Sequence, residues 1–299
     1  MIHGEQLTMT ATLDADSVEP GPSKPATRGE IGARRWPSIH SLSIVIPALN
    51  EEENIPRVIG TIPREEIAAE GCDLEIIIVD NASNDATAEV ATAHGALVYL
   101  QPARGYGNAY HTGFAVARGD VIATGDADCT YPFDALPGLL DHMQAGRFDF
   151  LSTNRLGRAN RNAMKRSHTV GNRVLTAANR GLFHVPFRDS QSGMWIFRRR
   201  IWRHLDVRSG GMPFSQEIKN EAYVKGFRCD EVPIEYRPRG GMVKLNAFRD
   251  GTRNVSQLAG HRMRARRQLV VVRRLADSIG DGLVPRPTGT TAVLRVDSS

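Results

Sequence analysis

Val121-Ile122-Ala123-Thr124 runs directly into Gly125-Asp126-Ala127-Asp128. An apolar run without alternation reads as a strand buried on both faces, as in a parallel α/β sheet. Two carboxylates one residue apart at its end sit where open α/β sheets bind ligands, outside the carboxyl ends of the strands. In extended backbone, Asp126 and Asp128 point the same way. A turn at Tyr131-Pro132 lets their oxygens converge. Two uses suit such a pair: holding a divalent cation, or acid/base work. Oxygen-only ligation by one or two carboxylates, completed by phosphates and water, is how Mg²⁺ or Mn²⁺ is held. Without a cation the two charges repel and one pKa rises. The plain alternative is a solvated strand end that caps a helix.

Outward from this strand, elements alternate. Strands are expected at Leu42–Pro47, Leu74–Asp80 and Ala96–Leu100, with helices over 51–69 (broken at Pro56 and Pro63), 86–94 and 108–117. Strand–helix alternation implies right-handed βαβ units and a parallel sheet. Beyond Pro132 the pattern predicts helices over 133–144, 167–183 and 215–225, and strands over 148–153, 194–197 and 229–236. A basic helix is expected from about 245 to 276. Residues 1–39 and 281–299 are polar and poor in apolar periodicity, and read as a disordered leader and tail. The expected organisation is therefore leader 1–39, an α/β domain 40–255, a basic helix 256–280 and a tail 281–299.

The chain has 299 residues, is 41% hydrophobic and 24% charged, and carries a formal net charge of +5. These values describe a soluble globular protein with room for an ordinary core. Residues 261–274 hold six arginines and no acid, leaving the body near neutral. A nucleic-acid-binding body is disfavoured and a local basic element favoured. Cys72, Cys129 and Cys229 form no CxxC pair, which argues against a disulfide framework or structural zinc and fits a reducing, cytoplasmic setting. No run reaches the about 18 apolar residues of a membrane span, and no signal-peptide layout opens the chain.

Three further stretches carry chemistry. Pro47-Ala48-Leu49-Asn50-Glu51-Glu52 ends the first strand, where Pro47 stops the ladder and Asn50 suits a helix cap. Asp80 ends the second. An acid there accepts hydrogen bonds from ribose hydroxyls or a base edge, and Asp85 serves the helix cap, leaving Asp80 for binding. Arg104-Gly105-Tyr106-Gly107-Asn108-Ala109, with Gly113, follows the third strand. A dinucleotide fingerprint belongs after the first, so these glycines instead bring backbone close to a nucleotide or a helix close to the sheet.

In order and spacing these stretches resemble family 2 glycosyltransferases of the GT-A fold, above all the dolichol- and polyprenyl-phosphate sugar synthases. Thr153-Asn154-Arg155, Asp189-Ser190-Gln191-Ser192-Gly193, Glu231-Val232-Pro233-Ile234 and Arg237 through Leu245 agree, so the resemblance covers roughly residues 41–255. It implies a mostly parallel, Rossmann-like sheet flanked by helices. It implies that Pro47, Ala48, Leu49, Glu51, Asp80 and Gly105 hold the donor nucleotide. Asp126, with Ala127, and Asp128 would bind Mg²⁺ or Mn²⁺ against the donor diphosphate. Arg155 and Arg239 match positions facing donor or acceptor phosphate, and Lys244 matches the lysine of a loop closing over the site. Three positions depart from the family pattern: Asn81 replaces a second Asp, Thr130 a Gln beside the metal, and Val243 a Ser.

The implied activity is metal-dependent, inverting transfer of a sugar from a UDP- or GDP-sugar. Cation and Arg/Lys neutralise charge on the departing diphosphate. A polyprenyl phosphate acceptor is already ionised near neutral pH, its second pKa being about 6. A soluble hydroxyl acceptor instead needs a general base, for which Asp189 is the first candidate and Glu217 the second; the plain alternative for Asp189 is to hydrogen-bond the Ser190–Gly193 turn. Residues 261–274 offer peripheral contact with an anionic membrane, such as the inner face of a cell membrane; the plain alternative is a helix packed on the domain. A non-catalytic docking module built on that segment is the third reading.

Overall fold

The protein is described here from a computed structural model covering residues 38–157, 160, 166–240 and 260–262. The chain divides into residues 1–37 and 38–299, and all described residues belong to the second unit. The leader (apart from residues 38 and 39), the tail, Lys244, Val243 and the basic segment apart from Gly260, His261 and Arg262 lie outside the described residues.

Strands β1 (Ser41–Ala48), β2 (Asp73–Asp80), β3 (Leu97–Leu100), β4 (Val121–Thr124), β5 (Phe150–Asn154), β6 (Trp195–Arg198) and β7 (Cys229–Pro233) form one sheet in the order β3-β2-β1-β4-β6-β5-β7. The pairs β1–β2, β2–β3, β1–β4 and β5–β7 are parallel. β6 runs antiparallel to both neighbours, β4 and β5. The expected mostly parallel sheet is therefore present. Its order reverses at β1, where β2 and β3 lie on one side and β4 on the other. That reversal opens a crevice at the carboxyl ends of β1 and β4.

Alternate residues of each strand feed two cores, one on each face. Ile44, Ile46, Ile76, Ile78 and Ala123 face one cluster. Val45, Ile77, Val79, Ile122, Phe150 and Phe197 face the other. Burial on both faces is why these strands read as continuous apolar runs.

Helices α1 (Ile55–Gly60) and α2 (Arg64–Ala69) are separated where the prolines predict: Pro56 sits in the first turn of α1 and Pro63 caps α2. Helices α3 (Thr87–Ala93) and α4 (Tyr106–Val116) follow β2 and β3. A Cβ at Gly113 would run into Val45, so this glycine lets α4 pack tightly on β1. After a short 3₁₀ turn come α5 (Leu136–Gly146), α6 (Arg166–Phe183), α7 (Arg199–Trp202) and α8 (Phe214–Val224). The one-turn α7 is not foreseen in the sequence, because four residues carry too little periodicity to register. Asn50 does not cap a helix. α1 starts five residues later, and Asn50 adopts φ 53° and accepts from Asn84 N at 2.8 Å, stitching the turn after β1 to the turn after β2.

Candidate active site

The crevice holds a cavity of about 460 Å³, a size suited to a small-molecule ligand. Its first wall is local. Pro47, Ala48, Leu49 and Glu51 line it from the end of β1. Glu52 Oε2 accepts Ala86 N at 2.8 Å, and Asp85 Oδ1 accepts Thr87 N at 3.1 Å from one residue before Ala86, which holds the N-cap position expected of Asp85.

At the end of β2 it is Asn81, not Asp80, that lines the cavity. Asp80 Oδ1 accepts Ser83 N at 3.0 Å, and the residue is 6% exposed. Asn81 donates to the carbonyls of Gln101 and Ala103, both at 2.9 Å, and accepts Gly105 N at 2.7 Å. It therefore rivets the Gly-rich segment to the sheet. Gly105 has φ 149°, a region that favours glycine, and a Cβ there would strike the Gly210 carbonyl. Asn108 N donates to that carbonyl at 3.0 Å. The glycines thus bring segment 103–108 against segment 209–213, whose Gly211, Met212 and Pro213 form another wall.

Asp126 and Asp128 both reach the cavity from the end of β4, with Ala127 between them. Asp126 Oδ1 accepts Tyr106 Oη at 3.0 Å. Burial, reinforced by the Asp128 charge, pushes the Asp126 carboxyl up to about 7, although Tyr106, Arg155 and Arg239 pull the other way. Asp128 Oδ1 accepts Thr130 Oγ1 at 2.6 Å and Thr130 N at 3.2 Å; its Oδ2 lies 3.2 Å from Arg239 Nη2. Thr130 is 1% exposed, so it orients Asp128 instead of lining the cavity. Among the described residues no group of three or more His, Cys, Asp or Glu gathers around a metal position. The oxygens of Asp126 and Asp128 are the kind of donor that suits an oxygen-loving cation completed by ligand phosphate and water.

Another part of the lining depends on a buried ion pair. Arg155 Nε and Nη2 meet Asp189 Oδ2 and Oδ1 at 2.8 and 3.0 Å, and Arg155 N donates to Oδ2 at 3.1 Å. The Arg155 guanidinium lies 5.2 Å from the centre of the Tyr236 ring, a cation–π stack. Burial would raise the Asp189 carboxyl, but the adjoining Arg155 outweighs it and holds it below the ordinary range. Asp189 is itself gripped: Glu231 Oε1 accepts its N–H at 2.9 Å, and Lys219 Nζ donates to its carbonyl at 2.7 Å. Lys219 is 0% exposed, and burial pushes its ammonium down to about 7 against the pull of Asp189.

This changes the expected roles of both base candidates. Asp189 is fully buried and away from the cavity lining, and both its oxygens are taken by Arg155. It positions Arg155 and is not placed as a general base. Glu217 also lies outside the lining; its Oε2 accepts Ser209 N at 2.8 Å and Arg208 N at 3.2 Å, holding segment 208–213.

The structure therefore gathers Pro47, Ala48, Leu49, Glu51, Gly105, Asp126, Ala127, Asp128, Arg155 and Arg239 around one cavity. It adds Tyr106, Tyr131 and Tyr236, to which sequence reasoning assigned no role. Tyr131 Oη accepts Gly193 N at 2.6 Å. Tyr106 and Tyr131 sit inside motifs already singled out, so proximity to those motifs was a usable signal. Lys219 offered none, because one lysine on an amphipathic helix reads as a solvated charge.

Against known proteins, the family model described as "Glycosyl transferase family 2" matches residues 43–205. A low-salt glycan biosynthesis hexosyltransferase from Haloferax volcanii is 40% identical over 220 residues, 72% of this chain and 52% of that protein, so the chain spans about half of that relative's length. A dolichyl-phosphate hexose transferase from the same organism is 32% identical, over 70% of this chain and 89% of the relative. The solved structure of glucosyl-3-phosphoglycerate synthase from Mycobacterium tuberculosis with Mn²⁺, UDP and glucosyl-3-phosphoglycerate superposes with a TM-score of 0.59 at 23% identity, covering 74% of this chain and 80% of that one. That likeness shows a shared GT-A fold.

Proposed function

The chain belongs to glycosyl transferase family 2, and from that premise we propose that it is a glycosyltransferase moving a sugar from a nucleoside-diphosphate sugar to a polyprenyl phosphate. The observation that carries this reading is the charge content of one cavity: carboxylates Asp126 and Asp128 and guanidiniums Arg155 and Arg239 line it together, with Arg239 Nη2 3.2 Å from Asp128 Oδ2. A divalent cation held by Asp126 and Asp128 would supply countercharge for the departing diphosphate. In the transfer an acceptor phosphate oxygen bonds to the anomeric carbon, and the bond from that carbon to the diphosphate breaks. The electron pair leaves with the nucleoside diphosphate.

The choice of acceptor follows from what each carboxylate is already doing. Asp189 and Glu217 are committed to buried hydrogen bonds, so neither is placed to deprotonate a hydroxyl. A phosphate acceptor needs no base, and the Arg155 guanidinium in the cavity lining suits its charge. The dolichyl-phosphate hexose transferase relative supports the same choice.

Access to a lipid substrate fits the exterior as well. α6 turns Val170 and Val174 outward at 60% and 63% exposure and contains no acidic residue. Basic, partly apolar surface of this kind favours contact with an anionic membrane. Among the described residues no helix is long and apolar enough to cross one.

The test is transfer from a panel of UDP-, GDP- and dTDP-sugars to a polyprenyl phosphate in vesicles, with Mn²⁺ or Mg²⁺. Asp128→Ala is expected to lower the rate by roughly 10²–10³-fold with an unchanged melting midpoint. Equal activity in excess chelator, or transfer only to soluble hydroxyl acceptors, would reject the reading.

A further inference from the structure

The two cavity guanidiniums are held differently. Arg155 is locked, with two of its nitrogens on a fully buried carboxylate and its face on Tyr236. Among the described residues Arg239 makes one ion pair, Nη2 to Asp128 Oδ2 at 3.2 Å. Its Nε is buried with no hydrogen-bond partner, so the pose leaves a desolvated donor unsatisfied, which costs free energy. Its backbone, by contrast, is anchored: Gly240 N donates to the Asp128 carbonyl at 2.9 Å, and Arg237 N to the Thr130 carbonyl at 3.0 Å. The side chain can therefore exchange partners while its root stays in place.

Asp128 shows the complementary pattern. Thr130 takes Oδ1 twice, leaving Oδ2 as the oxygen turned to Arg239. A divalent cation engaging Oδ2 would meet the guanidinium at close range, and two positive charges there repel. A diphosphate entering the same cavity offers the guanidinium a better partner, because its oxygens accept two parallel N–H bonds where Asp128 offers an ion pair at one oxygen.

We infer that Arg239 is an exchangeable counter-ion: in the ligand-free protein it neutralises Asp128, and it passes to the diphosphate when cation and nucleotide enter together. Metal and nucleotide then bind cooperatively, because each removes the other's obstacle. The coupling is reciprocal, as linkage requires. The inference rests on the cation reading of Asp126 and Asp128 proposed above.

The experiment measures Mn²⁺ binding by calorimetry and by the Mn²⁺ electron paramagnetic resonance signal, with and without UDP, in the full chain. Wild type should bind Mn²⁺ weakly alone and tighter with UDP. Arg239→Gln should bind Mn²⁺ alone roughly tenfold tighter than wild type, since removing one nearby positive charge favours the cation, and should lose most of the UDP-dependent gain. Arg239→Lys keeps a positive charge beside Asp128 and should bind Mn²⁺ alone as weakly as wild type. A melting curve checks that each variant is folded. If wild type binds Mn²⁺ with UDP but Arg239→Gln shows no gain for Mn²⁺ alone, the exchange is overturned while the cation reading stands. If Arg239→Lys binds Mn²⁺ alone as tightly as Arg239→Gln, the charge basis of the exchange is overturned. If no form binds Mn²⁺ even with UDP, the cation reading falls and the exchange falls with it.

Discussion

The wall of the cavity built from β1, β2 and β4 differs in kind from the wall built after Thr130. On the first, each functional residue is delivered by the strand or turn it belongs to: Pro47 to Glu51 by the end of β1, Asn81 by the end of β2, Asp126 and Asp128 by the end of β4. On the second, one guanidinium depends on four distant residues. Arg155 leans on Asp189 and Tyr236, and Asp189 leans on Glu231 and Lys219. The contrast teaches that an anion-facing arginine buried at a cavity wall needs a scaffold of its own. Carboxylates at strand ends are held in place by the sheet.

Breaking the scaffold should therefore cost more than altering the strand-end wall. Asp189→Asn preserves shape but leaves Arg155 without its buried counter-charge, and is expected to destabilise the protein by about 3–5 kcal/mol. A denaturant titration checks this. An unchanged midpoint would mean that Arg155 finds another partner and the two walls are alike.

The second expected effect is one of pH. Folded Lys219 releases its proton near about 7, whereas an unfolded lysine keeps it to about 10.4. Between these values the unfolded chain binds more protons, so Lys219 makes stability rise with pH, by at most about 1.4 kcal/mol per pH unit. Below the folded pKa both states are protonated and its contribution is flat. Lys219→Met, measured beside wild type from pH 6 to 10, should remove that upward slope; parallel curves would show Lys219 to be charged throughout.

The smallest effect is expected at the strand-end wall. Asn81→Asp turns a donor of two hydrogen bonds into a carboxylate facing the carbonyls of Gln101 and Ala103. A loss of about 1–2 kcal/mol is expected, with a raised KM for the donor as Gly105 shifts. A variant with wild-type melting and donor KM would show that the Gly-rich segment holds itself.

Legibility in the sequence divides along the same line. Val121–Thr124 is read to the residue, but the chain turns after it, so Asp126 and Asp128 line the cavity together with the intervening Ala127 and not by strand alternation. The start of α4 is displaced from 108 to Tyr106 because the φ of Gly105 turns the chain into the helix early. At Asp80 and Asn81 the reading reached the right turn but assigned binding to the neighbour. Which of two adjacent side chains faces a cavity depends on the segment packed above them. Asp189 is legible as a base candidate or a turn-holding residue; it does accept Gln191 N at 3.1 Å, but its pairing with an arginine 34 residues earlier is not legible. Glu217 was misread as a base, its oxygen being taken by backbone N–H groups of segment 208–209.

By itself the sequence determined the parallel half-sheet, its ligand-bearing strand ends and the paired carboxylates. Strand periodicity and proline and glycine placement act over a few residues and survive without tertiary context. The tertiary structure alone decided that Arg155 is locked and Arg239 is not, that Asp189 is a strut, and that Lys219 is buried. Those outcomes depend on which charges are desolvated together. Desolvation is a property of the packed chain, because it arises only when residues remote in sequence exclude water from one another.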